Sequence, residues 1–215
     1  MKVTLGSMFR DSTGYLDRYF AQVGNLRNHG YDVRLALAEG DSVDGTYEAL
    51  EGFLRSDDLL VKVDHGGRRW GSIDIQDRWD DIAVVMRGLL DALGDRRGDA
   101  FVWVESDLIW NVEAMEALLS DLATVDAVAP MVYADDTARF YDVWGYRRAG
   151  VRFKPFPPYW QGQPEKAPLL KIDSCGSCFA LAPAAFGDLW HWSGHWPFTA
   201  GGSLWLDTEA EVRHP

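Results

Sequence analysis

Two short acidic clusters carry the residue types best suited to chemistry. The apolar run 101–104 leads into Glu105-Ser106-Asp107. Alternate residues of an extended segment face the same way, so both carboxylates lie on one side of the strand's carboxyl end. Paired hard oxygens there suit a divalent cation that must keep positions open for phosphate oxygens. A solvated turn before the helix at Asn111 is the plainer use of the same residues. The second cluster, Glu39-Gly40-Asp41-Ser42, also ends an apolar run and passes through Asp44-Gly45-Thr46 into a helix. A helix cap accounts for Asp44 but leaves Glu39 and Asp41 without a structural reason. A third spacing, Cys175-x2-Cys178-x12-His191-x3-His195, fits zinc-finger arithmetic. Its interior does not, because Pro183, Gly187 and Gly194 interrupt the finger helix and CFALAP reads as a buried strand.

The elements that must position these groups alternate. Strands are expected at 2–9, 32–38, 59–63, 101–105 and over AVAPMV, from short apolar runs. Helices are expected near 12–28, at 44–55, over 77–93 and from about Asn111 to Leu122. Such alternation predicts an α/β fold, a mostly parallel sheet with helices on both faces, and a binding region at the carboxyl ends of its strands. After Val132 the texture changes to an aromatic, Pro-rich stretch, with strands expected only at 176–182 and 203–213. The division expected is a nucleotide-binding half over 1–132 and an acceptor half over 133–215, within one domain.

Composition narrows the classes. At 215 residues with 47% apolar content, the chain has material for one core. A net charge of −12 repels polyphosphate at long range. One basic strip, Arg147, Arg148, Arg152 and Lys154 among aromatics, stands apart from that charge. No run is apolar enough for a membrane helix, and two cysteines suit a reducing compartment, so no membrane partner and a cytoplasmic location are expected. Ten tryptophans are present. Four of them, Trp190, Trp192, Trp196 and Trp205, lie where no apolar period explains them; indole faces stack on sugars and bases.

The order of these motifs resembles one family. EGDSVDGT is similar to the strand-two signature of GT-A nucleotide-sugar glycosyltransferases, and ESD takes the place of their acid-x-acid metal motif. Within that fold the likeness is to the fungal Golgi α-mannosyltransferases of the mannan polymerase complexes. Arg78, Ile82-Ala83, Arg87 and Leu89-Leu90 resemble the helix before their metal strand, and Tyr141-Asp142-Val143-Trp144 their Tyr-Asp block. Ile172-Asp173-Ser174-Cys175-Gly176 resembles their Asp-x-x-Gly-Gly strand, and Val212-Arg213-His214-Pro215 the terminal strand whose histidine completes metal binding.

The resemblance implies a GT-A, Rossmann-like fold and transfer of a sugar from a nucleoside-diphosphate sugar to a hydroxyl acceptor, a glycan or small molecule. It implies Mn²⁺ or Mg²⁺ held by Asp107 and His214, with Glu105 beside the ribose or a metal-bound water and Glu39 at the base or ribose. Arg10, Asp41, Arg78 and Arg87 fall on the donor side, and Trp144, Trp192 and Trp196 on the acceptor side. Asp142 and Asp173 are the carboxylates expected near the sugar, unless either is a buried acid holding backbone amides. The first metal-motif acid is Glu where the family has Asp, and no carboxylate clearly matches an inverting base, which leans towards retention. The competing readings are a glycosyltransferase acting on hydroxymethylated DNA bases, a nucleotidyltransferase, and a non-enzymatic Trp-rich module binding glycans or nucleic acid.

Overall fold

The computed structural model describes residues 1–71, 75–135, 137–162, 168–185 and 204–215. The first four strands, β1 (Lys2–Phe9), β2 (Asp32–Glu39), β3 (Leu59–Lys62) and β4 (Ala100–Val104), are parallel neighbours in the order β3-β2-β1-β4. The connecting helices are α1 (Leu16–Asn28), α2 (Thr46–Phe53) and α3 (Gln76–Leu93). β1, β2 and β4 are buried almost throughout, as strands covered on both faces must be, hence their unbroken apolar runs. α3 buries Ala83, Met86, Leu89 and Leu93, a stripe at helical spacing.

α4 (Val112–Asp121) leads to β5 (Ala127–Ala134). A small hairpin, β6 (Arg147–Arg148) with β7 (Val151–Arg152), and an edge strand, β8 (Leu169–Lys171), follow. β9 (Cys178–Leu181) then inserts antiparallel between β4 and β5. β10 (Leu204–His214) runs parallel to β5 and pairs with β8 on its other side. The eight-stranded order is β3-β2-β1-β4-β9-β5-β10-β8. One mixed, mostly parallel sheet therefore joins residues on either side of position 132.

Two boundaries differ from those expected. α1 starts at Leu16 because residues 11–15 are drawn towards α2 instead: the Ser12 N–H donates to Thr46 Oγ1 at 2.7 Å, and Asp44 Oδ2 accepts from the amide and hydroxyl of Thr13. α2 starts at Thr46, with Asp44 Oδ1 accepting the Thr46 N–H at 3.1 Å. β10 also departs from a simple strand. Its register against β5 slips between Asp207 and Glu211, opposite Pro130 and Met131. Proline offers no N–H to a ladder, so a bulge is accommodated there; Asp207 Oδ1 accepts the amides of Glu209 and Ala210 within it. None of the described helices is long and apolar enough to cross a membrane.

Candidate active site

The carboxyl ends of the parallel strands open into a cleft of 560 Å³. Met8 of β1 and Arg78, Trp79 and Ile82 of α3 form one wall; the turn after β4, Glu105 to Asp107, forms the floor. Arg139, the segment Tyr141 to Trp144, and Ser177 just before β9 close the other side.

On its floor, Oδ2 of Asp107 lies 3.2 Å from Nε2 of His214, which stands behind the lining residues Asp107 and Tyr141. Backbone geometry imposes that meeting. Ile109 and Arg213 exchange two backbone hydrogen bonds, of 2.7 and 2.8 Å, which pin the turn after β4 to the end of β10. Arg18 donates to the Asp107 carbonyl at 2.7 Å from the α1 side. Tyr141 stacks flat on the imidazole, with centroids 3.7 Å apart. Burial works to lower the His214 pKa, but the hydrogen bond and charge of Asp107 outweigh it and hold the imidazole above its usual value.

This donor set fits a divalent cation that arrives with a diphosphate. His214 Nδ1 lies 2.8 Å from the Pro215 backbone oxygen, a contact that lets Nδ1 keep a proton if a cation takes the place of the proton shared between Nε2 and Asp107. Among the described residues no group of three or more His, Cys, Asp or Glu could hold an ion. Two protein ligands with the remaining positions open are what an ion shared with substrate phosphates needs.

Around that pair, negative charge is crowded. Burial, then the neighbouring Asp107 and Asp142, push Glu105 well above the carboxylate range. Burial also raises Asp142, against the donors that bond it. Those donors are the Gly145 N–H at 3.1 Å on Oδ1, and the amide and hydroxyl of Ser177 at 2.9 and 3.0 Å on Oδ2. The carboxylate reaches them because Gly176 and Gly145 carry no side chain: a Cβ on Gly176 would stand 2.2 Å from Asp142 Oδ2. Asp142 thus borders the cleft while holding backbone amides. Asp173 does not border it. It is exposed and accepts the Gly150 N–H at 2.6 Å at the turn of the β6–β7 hairpin.

A second cavity of 230 Å³ adjoins the cleft, sharing Met8 and Ile82 with it. Arg10, Tyr15, Gly40, His65, Trp70 and Asp81 are among its lining residues. Here Asp41 and Asp81 are held by donors from the chain itself. Asp41, in the left-handed region with φ 56°, accepts the amides of His65 and Gly67 at 3.0 and 2.7 Å. Despite burial, those bonds hold it below its usual pKa. Asp81 accepts from Arg68 at 2.6 Å and from the Trp70 indole at 2.8 Å, and is likewise lowered although burial opposes it. Arg10 donates to the carbonyls of Gly67 and Arg68. Glu39 is fully buried: one oxygen accepts the Ser42 N–H at 2.5 Å, and the other has no partner among the described residues.

Of the remaining expected residues, Arg78 lies in the cleft with its guanidinium over Trp79, and Trp144 stands at the rim, 49% exposed, beneath Arg152. Arg87 is exposed further along α3 and lines neither cavity. Trp192, Trp196, His191 and His195 lie outside the described residues. Cys175 and Cys178 are free and fully buried, and burial pushes both thiols up, which suits core packing. Sequence reasoning missed Arg139, Ser177 and His65. Ser177 was findable, because the CGSC stretch precedes a strand; Arg139 depends on a turn in which Thr137 bonds the Ala134 carbonyl at 2.6 Å and carries no sequence signal.

No protein-family model matches this chain, and no curated protein matches it in sequence. Its fold is similar to solved structures. One is the mannosyltransferase PcManGT from Pyrobaculum calidifontis in complex with GDP-Man and Mn²⁺, at TM-score 0.52 and 14% identity over 99% of this chain and 56% of that one. A second is GalNAc-T7 with UDP, GalNAc and Mn²⁺, at TM-score 0.60 and 14% identity over 100% and 44%. A third is S. aureus TarS 1-349, at TM-score 0.55 and 12% identity over 100% and 60%. This chain thus spans about half the length of these structures. The likeness establishes the fold, the mixed and mostly parallel sheet of GT-A glycosyltransferases.

Proposed function

We propose that this chain is a metal-dependent glycosyltransferase that moves a sugar from a nucleoside-diphosphate sugar onto a hydroxyl acceptor. The observation that carries the reading is the Asp107–His214 contact at the cleft floor, made by two residues far apart in sequence on a fold whose solved examples include complexes with nucleotide sugars and Mn²⁺. Asp107 and His214 would hold Mn²⁺ or Mg²⁺, which when bound neutralises charge on the leaving diphosphate.

The chain's own groups do the rest. Arg78 and Arg139 bring positive charge to the cleft wall, where phosphate oxygens need it. Glu105, two residues before Asp107 on the cleft floor, is placed to meet the ribose or a metal-bound water. The unpartnered Glu39 oxygen is an acceptor for a base N–H or a ribose hydroxyl, and Arg10 and Asp41 fix the loop beside it. Trp144 offers an indole face to the acceptor. Asp142 acts as a positioning residue, setting Ser177 and Gly145 against the cleft. Asp107 is reserved for the cation, Glu105 for the ribose or a metal-bound water and Asp142 for amides, so no described cleft carboxylate is left over to deprotonate an acceptor. That supports retention of anomeric configuration, which NMR of the first-formed product reads directly.

The order of motifs from Glu39 to His214 supports the finer likeness to fungal Golgi α-mannosyltransferases. The placement of the second cavity beside β1 and β2 supports a donor-binding half over 1–132, with acceptor contacts from 133–215. Two free thiols support a cytoplasmic location. Arg152 stacked on Trp144 at the rim favours one second reading, an anionic acceptor such as DNA bearing hydroxymethylated bases. The test is donor hydrolysis across nucleoside-diphosphate sugars with Mn²⁺. Wild type is expected to hydrolyse at least one of them, and Asp107→Ala to lose ~10²-fold or more; hydrolysis unchanged in Asp107→Ala overturns the reading.

A further inference from the structure

On the far side of the Asp107 turn, between the last turns of α1 and the start of α4, lies a separate cavity of 420 Å³. Its size falls within the range of roughly 300–1,000 Å³ typical of small-molecule sites. Gln22, Asn25 and Asn28 line it from α1, at three-residue spacing up one side of the helix; Trp110 and Asn111, just before α4, and Glu113 in its first turn line it opposite.

Two observations set this cavity apart from a surface dent. Trp110 is only 4% exposed, yet its indole N–H has no hydrogen-bond partner among the described residues, a rare and costly state for a buried donor. Asn25 and Asn28 are exposed and asparagine is a poor helix former, so helix stability does not explain their presence on α1.

We infer that this cavity is a binding site for a neutral saccharide, distinct from the cleft. The lining chemistry selects that class. A carboxamide donates and accepts side by side, as a sugar hydroxyl does, and here Asn25 and Asn28 offer both functions beside the partly engaged Asn111 and Gln22. Asn111 spends its oxygen capping α4 through the Ala114 N–H at 2.9 Å, which leaves its NH₂ to donate. Gln22 is held in place by bonds to the Leu108 carbonyl and the Trp110 amide, at 3.2 and 3.3 Å. No lysine or arginine is among the lining residues, and His29 is engaged by Glu116 at 3.2 Å, so the site lacks the cations a phosphate would need. The inference does not depend on the assignment of the cleft, because the two cavities share no lining residue.

The experiment follows the indole N–H resonances of the ¹⁵N-labelled 215-residue chain in EDTA, with Trp110 assigned by Trp110→Phe. The probes are methyl α-mannoside, methyl α-glucoside, N-acetylglucosamine and N-acetylgalactosamine, with glycerol and glucose 1-phosphate as controls. At least one sugar is expected to shift the Trp110 resonance saturably, more strongly than glycerol and no less than the phosphate ester. In the Asn25→Ala/Asn28→Ala variant the affinity should fall about tenfold or more. Failure of all four sugars to move the resonance, or a shift undiminished in the double variant, overturns the site. Because donor and metal are absent, either result leaves the cleft assignment to its own test.

Discussion

The two cavities at the carboxyl edge of the sheet both have acids in or beside them, but the surroundings treat those acids oppositely. Beside β2, Asp41 and Asp81 each receive two or more donors from the chain itself and are held below their usual pKa against the pull of burial. Beside β4, burial raises Glu105 and Asp142, with repulsion from Asp107 and Asp142 adding to it at Glu105, and His214 is the side chain facing Asp107. On one side Asp41 and Asp81 are satisfied as folded, and the second Glu39 oxygen is left open. The other carries negative charge that a cation would relieve, and the relief is available only when the cation comes.

Replacing Asp107 should break the comparison most severely. Asp107→Ala is expected to reduce metal-dependent turnover by ~10²–10³-fold while melting near wild type, which kinetics and thermal unfolding together check. Next comes the wall behind the acids. Gly176→Ala drives a methyl against Asp142 Oδ2, so the chain should lose roughly 3 kcal/mol in chemical denaturation, the upper end for overpacking.

A third substitution sharpens the comparison with a crowded acid away from both cavities. Burial, then Asp207, raise Asp121 at the end of α4 to about 6 from 3.8, and its Oδ2 is buried without a partner. The folded chain therefore keeps a proton that the unfolded chain has lost, so stability should fall as pH rises from about 4 to 6 and stay flat above. Asp121→Asn should remove that slope and gain about 1 kcal/mol at neutral pH, after discounting for solvent screening. The smallest effect belongs to the compensated side. Asp44, held at about 2 by Thr46 and Thr13 against burial, contributes stability present above 3.8 and lost as pH falls through about 2. Asp44→Ala should cost about 1 kcal/mol at neutral pH, and less in acid.

Strands buried on both faces made β1, β2, β4 and β5 legible, since continuous apolar runs have few other uses. The acid pairs were legible for the same reason: a carboxylate directly after such a run has to sit at the sheet's edge. β10 shows where local reading stops. Leu204–His214 reads as a strand, but its bulge arises from Pro130 on another strand, and its meeting with Asp107 from the Ile109–Arg213 bridge. Asp142 and Asp173 looked alike in sequence and separated in space, because one turns inward over Gly176 and the other caps a hairpin turn. Arg139 was invisible, since its place depends on a turn rather than on a periodic element.

Electron paramagnetic resonance of Mn²⁺ reads the joint grip of Asp107 and His214 most directly. In wild type the free-ion signal should fall when UDP or GDP is added with the ion, and both Asp107→Ala and His214→Ala should restore it. Binding of Mn²⁺ and nucleoside diphosphate that is as tight in either variant as in wild type would contradict the account.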